Sequence, residues 1–333
     1  MMRALDRRSI ALALAAAAFA FALLAPTVPL ERPVYRYLFV LDITQSMNTL
    51  DYGIDGRPLS RLAHAKAAIR QALRRLPCGS RAGLGLFTEH RTMVLIAPVE
   101  VCGAYTELVA TLERLDWRMS WAGASEVAKG LYSALRLARA LVPAPSVVFV
   151  TDGHEAPPVD PAQRVRFGGE PGAVTGYVIG AGGPKLMPIP KFDMSGKPLG
   201  YWGPEDVVQA PPAGAPGTAT GSADSSEGAS ARAGTEHLSS VKEAHLRELA
   251  QETGLRYRAL TTAEDFADAL FVPEWTRAAE VNVDLRPFAA WFALACLVLA
   301  LLPQADAAAR ATRRLRLVLG RGSSADLPAR GSR

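Results

Sequence analysis

Two stretches of this chain are apolar without interruption and too short to be helices. Residues 37–41 read Tyr-Leu-Phe-Val-Leu and run straight into Asp42, and residues 147–150 read Val-Val-Phe-Val and run into Thr151 and Asp152. Consecutive residues of a strand face opposite ways, so an unbroken apolar run predicts a strand covered on both sides, as in a parallel sheet. Segments of helical spacing lie between the runs. The pattern predicts a strand at 37–42, a helix at about 61–76, strands at 82–88 and 92–99, helices at about 105–115 and 126–141, and a strand at 146–151. Strands alternating with helices indicate an α/β fold with a mostly parallel central sheet flanked by helices. A tight turn at Glu89 to Arg91 makes 92–99 its one antiparallel edge strand.

The second half is more punctuated. A strand at 173–179 precedes a hairpin-like stretch at 185–202, broken by prolines and by Ser195-Gly196. Residues 210–235 are almost wholly Ala, Gly, Pro, Ser and Thr, with no large apolar side chain to bury, which predicts a disordered insertion at about 205–237. A helix at about 241–253, a strand at 256–260 and a helix from 263 then resume the pattern. The α/β domain is therefore expected to span 33–271, with the insertion in a surface loop.

Composition adds ample core material, 49% hydrophobic over 333 residues. It also adds two apolar segments near the ends. Residues 10–25 follow Arg3, Arg7 and Arg8, and make 1–30 a signal peptide or an uncleaved signal anchor. Residues 287–303 carry no charge and are expected to form a transmembrane helix near the lower length limit. The tail 304–333 has seven Arg and two Asp, net +5, and residues 1–25 have net +2, so the formal total of +5 leaves −2 for the middle. The basic charge thus belongs to the ends, which argues against a nucleic-acid face. Positive residues stay in the cytoplasm, so 304–333 reads as a cytoplasmic tail and the central domain is expected in the periplasm, anchored in the inner membrane.

Of three cysteines, Cys296 falls in the second apolar segment. Cys78 and Cys102 flank the two strands predicted to pair antiparallel, where the start of one lies beside the end of the other. In an oxidising compartment they are expected to form a disulfide.

The candidate chemistry lies where the buried strands end. Asp42, Thr44 and Ser46 stand at alternate positions in the loop after the first strand, so their side chains can converge on one point. Ligands bind outside the carboxyl ends of strands in open α/β sheets. Two further loops can reach that place, Gly123-Ala124-Ser125 and Thr151-Asp152-Gly153. Asp42, Thr44, Ser46, Ser125 and Asp152 together offer two carboxylates and three hydroxyls. An oxygen-only set favours Mg²⁺, Ca²⁺ or Mn²⁺ over zinc. His154 and Glu155 read as residues of a surface loop. Trp117 and Trp121 either rim the site or pack beneath its loop. A haloacid-dehalogenase-type phosphatase would need a second carboxylate two residues after its nucleophile, and Thr44 stands there, so no enzyme is expected.

These residues resemble the metal-ion-dependent adhesion site of the von Willebrand factor A (VWA) domain, written Asp-x-Ser-x-Ser, then Thr, then Asp. Asp42, Thr44 and Ser46 match the first motif, Ser125 the Thr and Asp152 the last Asp; both departures keep a hydroxyl. The resemblance implies a Rossmann-like VWA fold and a bound divalent cation that captures a carboxylate from a protein partner. Longer strings, among them Asp42-Ile43-Thr44-Gln45-Ser46-Met47 and Thr151-Asp152-Gly153-His154-Glu155, resemble membrane-anchored VWA proteins of methanol dehydrogenase gene clusters, the MxaL type. That likeness implies a periplasmic factor for maturation or Ca²⁺ insertion of methanol dehydrogenase. Leu246-Arg247-Glu248-Leu249-Ala250 resembles the broader Bat-type bacterial VWA proteins, which would act in the envelope outside methanol oxidation.

Overall fold

The structure, a computed structural model, describes residues 6–54, 56–158, 164–208 and 234–302. It divides into two compact units, Met1–Leu30 with Val281–Arg333, and Glu31–Glu280. In chain order, α1 (Arg7–Leu23) is followed by β1 (Thr27–Val34), β2 (Arg36–Asp42), the small hairpin β3 (Tyr52–Ile54) and β4 (Arg57–Leu59), and α2 (Arg61–Arg75). Next come β5 (Arg81–Thr88), β6 (Arg91–Glu100), α3 (Tyr105–Arg114), α4 (Val127–Ala140), β7 (Ser146–Thr151) and β8 (Gly176–Gly180). Four short strands follow: β9 (Met187–Pro188), β10 (Pro190–Phe192), β11 (Pro198–Tyr201) and β12 (Leu238–Ser239). The chain continues with α5 (Glu243–Thr253), β13 (Arg256–Ala259), α6 (Ala263–Ala269), β14 (Arg277–Asp284) and α7 (Arg286–Leu301).

Six strands form the main sheet in the order β13-β8-β7-β2-β5-β6. Every neighbouring pair is parallel except β5 with β6, the antiparallel edge. The apolar runs serve both faces, as their lack of alternation requires. Tyr37, Phe39 and Leu41 of β2 join Val148 and Val150 of β7 in one core with α2 and α6. Leu38 and Val40 join Val147 and Phe149 in the other core, with α4 and α5. All nine are fully buried, and each such side chain contributes roughly 1.5–3 kcal/mol relative to exposure. β8 begins at Gly176 rather than at 173, because the chain enters the sheet hard against β7: a Cβ at Gly176 would lie 1.9 Å from the Val147 carbonyl oxygen.

Register explains the disulfide. Arg81 pairs with Glu100, so Cys78 and Cys102 lie just beyond the paired ends, with Cα atoms 5.3 Å apart and their sulfurs bonded. The Glu100 carboxylate accepts from the Gly79 and Gly103 amides at 2.7 and 2.6 Å, tying both flanks to the strand.

Most of the insertion expected at about 205–237 falls on residues that the structure does not describe. Residues 209–233 lie outside the described residues, but Asp206 pairs with Lys191 at 2.8 Å and β12 pairs with β9.

In the other unit, α1 and α7 occupy the two apolar segments but are short. With 17 and 16 residues, at a rise of about 1.5 Å per residue, each spans roughly 25 Å of a hydrocarbon core about 30 Å thick. Among the described residues no helix is long and apolar enough to cross a membrane. The expected span at 287–303 is thus present as a helix that stops at Leu301, ahead of Pro303, and α1 stops at Leu23, ahead of Pro26. Small residues of the two helices are buried, Ala15 on α1 and Ala293, Cys296 and Ala300 on α7, while Leu12, Phe19, Trp291 and Leu299 are exposed.

Candidate metal site

β2 lies where the strand order reverses, with β5 on one side and β7 on the other, so the loops leaving β2 and β7 diverge around one crevice. Asp42 is the last residue of β2 and is fully buried. Its Oδ1 accepts from the Thr44 amide at 2.9 Å and from the Thr44 hydroxyl at 2.6 Å, while its Oδ2 accepts from the Thr151 hydroxyl at 2.6 Å. The Thr44 and Ser46 hydroxyls lie 3.4 Å apart, and Ser46 also bonds Asp152. The first loop therefore closes onto the third through hydroxyl groups.

Ser125 reaches the same place by backbone pairing. Its amide donates to the Ala156 carbonyl at 2.6 Å and its carbonyl accepts from the Ala156 amide at 2.8 Å, while the next amide, of Glu126, donates to Glu89 in the turn after β5. The second loop is thus threaded between the ends of β5 and β7. The Ser125 hydroxyl is buried without a hydrogen-bond partner and lines one cleft together with Thr44 and Ser46. A buried hydroxyl without a partner costs free energy, roughly 1–3 kcal/mol, unless a ligand supplies one.

Asp152 is also fully buried, but its partner is a cation. Its Oδ2 accepts from Arg61 Nη1 at 2.6 Å and from the Ser239 hydroxyl at 3.0 Å, and its Oδ1 accepts from the His154 amide at 3.0 Å. Arg61, at the start of α2, has no exposed surface. Its Nε and Nη2 donate to Asp51 Oδ2 at 2.9 and 2.7 Å, and Nη2 also reaches the Ser239 carbonyl at 3.1 Å. Room for the guanidinium comes from Gly182, at φ +115°, where a Cβ would lie 2.6 Å from Arg61 Nε.

The two carboxylates are consequently unequal. Burial, and next the charge of Asp152, raise the Asp42 pKa to about 7 against the pull of the Thr151 and Thr44 hydrogen bonds. Burial is the largest single influence on Asp152 and acts in the same direction, but Arg61, His154 and the hydrogen bonds from the His154 amide and the Ser46 hydroxyl together outweigh it and hold that carboxyl below its ordinary range.

Of the five residues expected from sequence, Thr44, Ser46 and Ser125 line the cleft, and Asp42 and Asp152 are fully buried and hydrogen-bonded to Thr44 and Ser46 respectively. The donor set, one carboxylate free of counter-charge with three hydroxyls and a second carboxylate behind them, fits a hard divalent cation, and the orphaned Ser125 hydroxyl is the atom such an ion would satisfy. Three participants were not foreseen: Arg61, Ser239 and Thr151. Only Thr151 carried a signal, as the residue joining the buried β7 run to Asp152. His154 and Glu155 differ from the surface-loop expectation. His154 is 4% exposed and burial lowers its pKa. Glu155 accepts from the Val127 amide at 2.8 Å and from His245 at 3.0 Å, so it caps α4. Trp117 stacks on Phe192, and the half-exposed Trp121 donates to Glu89. Elsewhere, Cys78, Glu100 and Cys102 are the one trio of metal-ligand type among the described residues, and the disulfide occupies both sulfurs.

The fold is an α/β module with a mostly parallel six-stranded sheet, and the candidate site lies at the carboxyl ends of its central strands. Residues 37–154, from β2 through the third site loop, match the model of the von Willebrand factor type A domain. No curated protein sequence matches the chain. Among solved structures it is similar to an aerotolerance-related membrane protein from Bacteroides fragilis, with 17% identity, a TM-score of 0.44, and 71% of this chain and 96% of that one covered. It is also similar to the conserved hypothetical protein BatB from Bacteroides thetaiotaomicron, with 16% identity, a TM-score of 0.44, and 71% and 95% covered. A von Willebrand factor type A protein from Catenulispora acidiphila shares 12% identity at a TM-score of 0.36, over 78% of this chain and 43% of that one.

Proposed function

We propose that this chain is a non-enzymatic, cation-dependent protein-binding module of the bacterial envelope. Asp42, Thr44, Ser46 and Ser125 would hold Mg²⁺, Ca²⁺ or Mn²⁺ with the support of Asp152, and a carboxylate of a partner protein would complete the coordination shell. The observation that carries this reading is the buried, unpartnered Ser125 hydroxyl in the cleft beside Thr44 and Ser46. Because Arg61 offsets the charge of Asp152, a dication held chiefly by Asp42 keeps net positive charge, which a partner carboxylate would offset.

The membrane setting rests on the α1 and α7 unit. Its buried positions are small residues and its outer surface is apolar, the arrangement expected of helices packed together in lipid. We place the anchor in the inner membrane and the VWA domain in the periplasm, on the charge distribution and the disulfide. The broader reading of the partner is a Bat-type envelope role. An assembly role in methanol dehydrogenase maturation rests on the sequence strings alone, and the names of the similar solved structures given above do not concern methanol oxidation.

The test is a crosslinked pull-down of the full chain from membranes, with Ca²⁺ or with EDTA, beside Asp42→Ala. Capture that needs both the cation and Asp42 supports the module, and recovery of methanol dehydrogenase subunits would select the narrower role. Unchanged capture in EDTA rejects a metal-bridged contact.

A further inference from the structure

The cleft over the cation site is more than an opening. Its volume is about 330 Å³, and Thr44, Ser46 and Ser125 form part of its lining. That is the low end for ligand pockets, so it suits a short segment rather than a broad protein surface. The rest of the lining is largely apolar: Ile189, Trp202, Val207 and Val208 come from the stretch around the β10–β11 hairpin, and Pro157 and Pro158 from the loop after β7.

This apolar wall is fixed to the site. The Trp202 amide donates to the Ile189 carbonyl at 3.0 Å, and its indole N–H donates to Gln45 Oε1 at 3.2 Å, inside the Asp42–Ser46 loop. Lys191 lies 4.7 Å from the centre of the indole ring and bonds Asp206 at 2.8 Å. The acids lining the cleft are engaged: Asp206 by Lys191, Glu155 by α4 and His245, and Glu236 beside His154 at 3.8 Å. Among the described residues the lining includes no Lys or Arg to meet an entering carboxylate. What draws an acid here is an ion on the floor, and what the walls can add is apolar burial.

We propose that the cleft selects an acidic side chain with a large apolar neighbour, the carboxylate completing the cation's shell while the apolar side chain packs against Trp202, Ile189 and Val207. This rests on the cation-bridge reading above and names the ligand class of that site. The partner is accordingly a protein presenting an acidic-apolar pair on a loop tip or chain end narrow enough to enter.

The test uses the full chain in detergent with saturating Mn²⁺ and dye-labelled, end-blocked peptides read by fluorescence anisotropy. The peptides are Gly-Asp-Leu, Gly-Leu-Asp, Gly-Asp-Ser and Gly-Asn-Leu, and Mn²⁺ binding is followed separately by electron paramagnetic resonance. One or both Asp/Leu peptides should bind at least about tenfold more tightly than Gly-Asp-Ser, the discrimination an apolar pocket supplies. Gly-Asn-Leu should not bind. In the volume-conserving Val207→Thr the preference should shrink toward one while Mn²⁺ affinity is unchanged, and in Trp202→Ala the preference should shrink as well, read at Mn²⁺ concentrations that saturate that variant. Equal binding of Asp/Leu and Gly-Asp-Ser, both still requiring Mn²⁺, overturns the cleft proposal and leaves the cation bridge standing. Mn²⁺ bound without capture of any acidic peptide, or Gly-Asn-Leu binding as well as Gly-Asp-Leu, overturns both.

Discussion

Asp42 and Asp152 end neighbouring parallel strands, both without exposed surface, and the fold treats them in opposite ways. Asp152, in the loop after β7, receives a permanent counter-charge from Arg61 at the start of α2, itself held by Asp51 and Ser239. Asp42 receives only hydroxyls and one amide, from Thr44 in the loop after β2 and from Thr151 at the end of β7. A buried carboxylate with a guanidinium stays ionised, whereas one with hydroxyls alone resists ionisation until something positive arrives. The contrast separates two roles at one sheet edge: Asp152 is a completed part of the fold, and Asp42 is the part that the proposed function assigns to an ion.

Removing the counter-charge should break the contrast most severely. Arg61→Met leaves Asp152 and Asp51 buried without their cation, and breaking a buried pair of this kind costs about 3–5 kcal/mol. Thermal denaturation of the cation-free protein should show this as the largest loss in the site, and added Ca²⁺ should recover part of it by supplying positive charge nearby.

Asp42→Asn should act with the opposite sign. The Asp42 pKa is raised from 3.8 to about 7, so its contribution to stability is fully present below pH ~4 and is lost as pH rises through ~7. Without cation, the wild-type protein should lose stability over that window, by a few kcal/mol at most, while Asp42→Asn stays flatter and is the more stable of the two at pH 8. With Ca²⁺ the order should invert, because only the wild type gains. Melting curves at pH 5, 6, 7 and 8 decide it, and a parallel pH dependence in the two proteins would contradict the assignment.

The smallest stability effect belongs to Ser125→Ala. Its hydroxyl has no partner to lose, so the cation-free fold should be unchanged or slightly more stable, within about 1 kcal/mol. Cation affinity should nevertheless fall at least about tenfold, since even groups that only orient ligands are worth that much. A stability loss without an affinity loss would make Ser125 structural.

Much of this was legible in sequence, for reasons that also explain what was not. β2 and β7 were visible because burial on both faces removes alternation, and Asp42 and Asp152 were visible because they interrupt those runs abruptly. The Cys78–Cys102 pairing followed from strand order. Arg61 was hidden, since an arginine in the first turn of an amphipathic helix reads as solvated; it points inward only because Gly182 leaves room and Asp51 and Asp152 await it. β3, β4 and β9 to β12 have two to four residues each, too short for any periodicity to register. The apolar cleft wall, assembled from that irregular stretch, escaped for the same reason. The lengths of α1 and α7 were set by prolines at 26 and 303, which bound the apolar segments more tightly than hydropathy did.

The claim that Asp42 is held in reserve for a cation is tested most directly by titrating Mn²⁺ into the full chain at pH 6, 7 and 8, with Asp42→Ala alongside. One ion should bind per chain. Its affinity should rise as much as tenfold per pH unit below about 7, as the ion displaces a proton from Asp42, then level off above that and be lost in the variant. Binding that is independent of pH over this range, or that survives Asp42→Ala, would contradict it.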